Sequence, residues 1–113
     1  EVLAAHCATA GRDIATINKT SLASLFLAET HEAAIAKVDQ RLAGMGLAWA
    51  TLDDAFKQQL GSRFLLGDAD EVGEQVAKLK AIGMDGVTVN LPSDGCDTDA
   101  IAHAGEVLLK ALA

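Results

Sequence analysis

Few residues in this chain of 113 have the type and spacing that chemistry needs. The histidines His6, His31 and His103 stand alone. None makes an i, i+4 pair, so zinc ligation lacks its usual spacing. Cys7 and Cys96 form neither a CxxC pair nor a disulfide framework and read as two reduced thiols. No G-x-S-x-G elbow, G-x-G-x-x-G loop or P-loop occurs. What remains are residues that aim hydrogen bonds: Thr30, Gly67 with Asp68, Thr88, and Asn90, whose amide offers one acceptor and two donors. Gly67-Asp68 precedes a helical pattern, and helix N-termini attract anions. Asp68, Asp70 and Glu71 already place negative charge there, so Asp68 is expected to cap the helix rather than receive a phosphate. His31, next to Glu32, reads as a solvated helix end.

The elements that position these residues alternate between two periods. Glu1 to Ala10 reads as a helix with an apolar stripe of Val2, Leu3, Ala5 and Ala10, stopped by Gly11. No capping residue precedes it, which suggests that the chain starts inside an element of something longer. Thr20 to Ala28 is short, apolar and uncharged, as a buried strand is. Thr30 caps the next helix, whose Ala34, Val38 and Leu42 recur every four residues. Thr51 is expected to cap a short helix, Leu52 to Leu60, and Trp49 to anchor helix packing.

Arg63 to Leu66 is a second strand. Asp68 and Glu71 then form the Asp version of a capping box for a helix that buries Val72, Val76 and Leu79 and stops at Gly83. Val87 to Leu91, ended by Pro92, is the clearest strand. Asp97 or Thr98 caps a last helix through Leu112, expected to bury Ile101, Ala104, Leu108 and Leu112.

Strands that alternate with helices imply an α/β fold with parallel strands and right-handed crossovers. Three strands leave two open edges and a thin core. A (β/α)8 TIM barrel takes roughly 200 residues or more, so the pattern suits its C-terminal portion, about three βα units. A small open α/β domain is the alternative. In a barrel, chemistry gathers at the C-terminal ends of the strands. That places Glu29 and Thr30, Gly67 and Asp68, and Asn90 to Pro92 around the mouth. Val87, Val89 and Leu91 share one face of the last strand, and Thr88 and Asn90 share the other. With the valines against helices, Thr88 and Asn90 point into the barrel; Asn90 either offers its amide there or fixes the loop before Pro92.

Two stretches carry a resemblance. Phe64-Leu65-Leu66-Gly67-Asp68-Ala69-Asp70-Glu71-Val72, followed by Ala81-Ile82-Gly83-Met84-Asp85-Gly86-Val87-Thr88-Val89-Asn90-Leu91-Pro92, resembles the C-terminal end of luciferase-like monooxygenases. The branch it is most similar to depends on the deazaflavin coenzyme F-420. Ala10-Gly11-Arg12-Asp13, Ile17 to Thr20 and Ala104-Gly105-Glu106 are similar to the same branch. The family usually has Gly-Thr-Pro or Gly-Ser-Pro where this chain has Gly67-Asp68-Ala69, so the proline of the first helical turn is missing. The resemblance implies a parent oxidoreductase that moves hydride between coenzyme F-420, or FMN instead, and a small organic substrate. It also implies that the family's cofactor-phosphate loop and most of its substrate pocket lie before Glu1. Thr88 and Asn90 would then line the barrel interior, and Thr30, Gly67 and Asp68 its rim. None of them is expected to be catalytic, and the segment alone is expected to be inactive.

Composition narrows the partners. Half the chain is apolar, as a packed core requires, and 9 basic against 16 acidic residues give a net charge of −7. Such a chain lacks the clustered Lys and Arg that grip nucleic-acid phosphates or an anionic membrane. No apolar run reaches the roughly 20 residues of a membrane span, and Glu1 to His6 is unlike a signal peptide, so the expected location is cytoplasmic. Open strand edges lead to an expected partner: a second copy in a homo-oligomer, or the missing part of the barrel. A noncatalytic module that self-associates through those edges is the alternative function.

Overall fold

The computed structural model describes all residues, Glu1–Ala113. The chain forms five α-helices and three strands: α1 (Val2–Ala10), β1 (Thr20–Leu27), α2 (His31–Ala43), α3 (Asp54–Gly61), β2 (Phe64–Gly67), α4 (Ala69–Ala81), β3 (Gly86–Asn90) and α5 (Thr98–Leu112). Short 3-10 turns at Ile14–Thr16 and Trp49–Thr51 link them. All strand pairs are parallel, so the α/β class and the βα alternation are as the sequence implies.

The strand order is not that of consecutive barrel strands. In a barrel each strand lies between its sequence neighbours. Here the order is β2-β1-β3, with Leu25 opposite Leu65 on one side of β1 and Ala23 opposite Val89 on the other. The physical reason lies in the strands themselves. β1 is the longest and buries Ala23, Leu25, Phe26 and Leu27, so the central position, hydrogen-bonded on both flanks, suits it best. β2 has only four residues and β3 exposes alternate side chains, and both suit an edge.

Right-handed crossovers then put helices on both faces, because the chain leaves β1 in one direction and returns past it in the other. On one face Ala23, Leu25 and Leu27 pack with Leu65, with Val72 and Val76 of α4, and with Ala104, Val107 and Leu108 of α5. On the other, Phe26 packs with Val38 and Leu42 of α2, flanked by Trp49, Leu60, Phe64 and Leu66. The stripes expected for α2 and α4 are therefore the ones buried. In α5 the apolar face is rotated: Ile101 is exposed and Val107 is buried in its place.

Two further expectations are corrected. Asp53, not Thr51, caps α3, its carboxylate accepting the Phe56 N–H at 2.7 Å, while Thr51 closes the preceding 3-10 turn. α1 does not bury an apolar stripe. Only Cys7 is buried, and Val2 and Leu3 are exposed, although Gly11 does stop the helix in the left-handed conformation (φ 64°). Apolar residues surround α1 on every side, so no single face is selected against the sheet. The radius of gyration, 16.2 Å, exceeds the roughly 13 Å typical of a compact chain of this size.

At the start of the sheet, Asp85 ties β3 to β1. Its carboxylate accepts the Lys19 N–H at 2.8 Å and lies 3.1 Å from the Lys19 ammonium, while its own N–H donates to the Lys19 carbonyl. The Lys19 backbone N–H, helped by the ammonium, holds the Asp85 carboxyl below its ordinary value. A carboxyl more acidic in the folded chain than in the unfolded one stabilises the fold above the unfolded value. That contribution fades as pH falls through the folded value. Asp85→Asn is therefore expected to lower Tm near neutral pH, and the deficit should disappear in acid below the usual carboxylate range. Thermal unfolding of both proteins across pH 2 to 7 checks this; a deficit that is constant with pH would count against the ion pair.

Candidate functional site

The parallel strands bring their C-terminal ends to one rim of the sheet. In open α/β sheets the crevice for ligands lies there, where the strand order reverses. In this chain that point is between β1 and β3. A cavity of about 250 Å³ occupies it, lined by Leu27, Ala28 and Glu29 of the β1 end, Leu91 and Asp94 after β3, Lys37 of α2, and Ala100, His103 and Ala104 of α5. Lys37 is the centre of its polar bonding. The ammonium donates to the Leu27 carbonyl at 2.8 Å and to the Asp94 carboxylate at 2.7 Å. Both partners of that pair are partly buried, and the pair fastens the loop after β3 to α2. Lys37 and Asp94 are 57 positions apart, and no local spacing signals their meeting.

The other rim residues serve as caps. Thr30 accepts the Ala33 N–H, and the Asp68 carboxylate accepts the N–H groups of Asp70 and Glu71. Glu71 reaches back to the Asp68 N–H at 2.9 Å, which completes the expected capping box. Gly67 adopts φ 138°, and the space a side chain would need is filled by Glu71. His31 is exposed at the start of α2, as expected, and its Nδ1 also lies 3.1 Å from Glu71, which joins the starts of α2 and α4.

Thr88 and Asn90 lie elsewhere. Val87 and Val89 pack towards α4 and α5 as expected, which turns Thr88 and Asn90 to the opposite face. That face is uncovered beyond α2. Leu22, in register with Thr88, is 73% exposed, and the Ser24 hydroxyl donates to Asn90 Oδ1 at 3.0 Å. The structure therefore does not gather the five expected residues into one site. Thr30, Gly67 and Asp68 sit at the rim, and Thr88 and Asn90 on the open face.

The rim residues do not fit the phosphate of a flavin or deazaflavin. The Ala33 N–H in the first turn of α2 is taken by Thr30 and those of Asp70 and Glu71 in α4 by Asp68, and Glu32, Asp70 and Glu71 add negative charge at both helix starts. Lys37 is committed to Asp94. No group of three or more His, Cys, Asp or Glu side chains is placed to hold a metal ion, and no helix is long and apolar enough to cross a membrane. Comparison with protein-family models, with curated proteins and with solved structures gives no match.

Proposed function

We propose that this chain is the closing segment of a luciferase-like, F-420- or FMN-dependent oxidoreductase that transfers hydride to or from a small organic substrate. On this reading the cofactor is held by residues outside the segment, because the rim residues of this chain do not suit its phosphate. The observation that carries the reading is the part of the α2 face that the helix leaves uncovered, which bears Leu22, Ser24, Thr88 and Asn90. A barrel would enclose such a mixed polar and apolar face as its lumen. β3 here occupies the flank of β1 that a barrel would give to a preceding strand. In the parent, β3 would pair with β2 instead.

The segment alone is expected to leave the fluorescence of added F-420 and FMN unchanged. Grafted in place of the C-terminal segment of a luciferase-like F-420-dependent enzyme, it is expected to support hydride transfer, followed by F-420 absorbance. Tight cofactor binding by the segment alone, or a folded chimera that binds cofactor but transfers no hydride, would overturn the proposal.

A second reading is favoured by the free outer edges of β2 and β3: a noncatalytic module that pairs with a second copy. A concentration-dependent dimer by size exclusion, with no activity in the chimera, would select it.

A further inference from the structure

The open face of the sheet also carries two arginines that neither reading uses. Two cavities adjoin there and share Ser24, Arg63 and Asn90. One, of about 590 Å³, lies over Leu22 and Ala23. The other, of about 280 Å³, runs under Arg41 and Met45 to Phe26 and Phe64. Arg41 and Arg63 make no ion pair and no side-chain hydrogen bond, although the chain has 16 acidic residues to offer them. No carboxylate lines either cavity. Asn90 turns its carbonyl oxygen to the Ser24 hydroxyl, which leaves both hydrogens of its Nδ2 free to donate. Leu22 and Met45 are exposed apolar surface on the same groove.

We propose that this groove binds a small organic oxyanion, a carboxylate or phosphate ester on an apolar body. Guanidinium groups present planar forks that match both oxyanions, and the low-charge walls spare them competition from the chain's own carboxylates. The anion sits between Arg41 and Arg63 with the Asn90 Nδ2 as a third donor, and the apolar body lies along Leu22 and Met45. The inference does not rest on the oxidoreductase reading. It requires only that the open face exists in the 113-residue chain.

Titration of the chain with phenyl phosphate, benzoate, inorganic phosphate and benzyl alcohol, followed by backbone amide NMR, tests it. Saturable shifts at Ser24, Arg63 and Asn90 are expected with phenyl phosphate, benzoate or both, and which of the two binds more tightly identifies the preferred oxyanion. Inorganic phosphate and benzyl alcohol should each bind more weakly than the preferred aromatic anion. Arg41→Gln and Arg63→Gln should each weaken that binding about tenfold while the amide spectrum stays that of a folded chain. Three results would overturn the proposal: no saturable shifts with either aromatic anion, binding unchanged in both variants, or benzyl alcohol binding as tightly as the anions.

Discussion

Phe26→Ala is expected to unfold a large part of the population at 25 °C. Phe26 is 1% exposed and is the largest fully buried side chain of the protein. Its ring meets Phe64 edge to face, with centroids 5.0 Å apart, and closes the smaller core against Val38 and Leu42. Truncating a buried Phe costs about 3–5 kcal/mol. Domains in general have only about 5–15 kcal/mol of stability, and this one, with 15 of 113 residues buried, belongs at the low end. Urea unfolding followed by far-UV circular dichroism reads the change. Leu22→Ser, on the same face of the same strand but 73% exposed, is the control and should stay within about 0.5 kcal/mol of the parent. A Phe26→Ala loss as small as that of the control would mean that α2 does not cover the sheet.

The second large effect is expected at Gly67, where the backbone ends β2 and enters the α4 cap. A non-glycine residue at φ 138° is strained by about 1–3 kcal/mol. The added methyl also displaces the Glu71 side chain, which accepts the Asp68 N–H and pairs with His31, and losing such a cap costs about 1 kcal/mol. Gly67→Ala should therefore lose about 2–4 kcal/mol. In a Glu71→Gly background the collision is gone, since glycine also removes the Glu71 Cβ that would lie 2.7 Å from the added methyl; only the strain remains, so the same substitution should cost less there. A double-mutant cycle measures the difference, and an equal cost in both backgrounds would show that Glu71 is not what fills the space.

Local chemistry made much of this fold legible. The Asp68 and Glu71 box, the Gly11 stop, the stripes of α2 and α4 and the alternation of β3 all follow from neighbours within four residues, and each is where the sequence places it. The order of the strands was not legible. Any of the three could pair with either other, and the choice depends on which flank and face is best buried once all are present. The site shows the same division. Thr30 and Asp68 were readable as rim residues because caps are local. Lys37 with Asp94, His31 with Glu71, and the shared cavity of Arg41 and Arg63 depend on strand order and are not visible in local spacing. Thr51 was misread because two capping residues stand two positions apart, and the 3-10 turn that consumes the first has no signal of its own.

The central place of β1 has a consequence for synthesis. The strand at the middle of the sheet leaves the ribosome first, and one of its two flanks waits for residues 66 positions downstream, since Ser24 meets Asn90. Closure over that distance is slow. Until then the nascent chain carries the Thr20–Ser24 half of β1, with Leu22 and Ala23, as an open flank, the kind of surface that chaperones and neighbouring nascent chains seize. A translation pause between β2 and β3 would lengthen that vulnerable interval, and a ribosome stalled there should yield aggregate rather than a smaller stable fold.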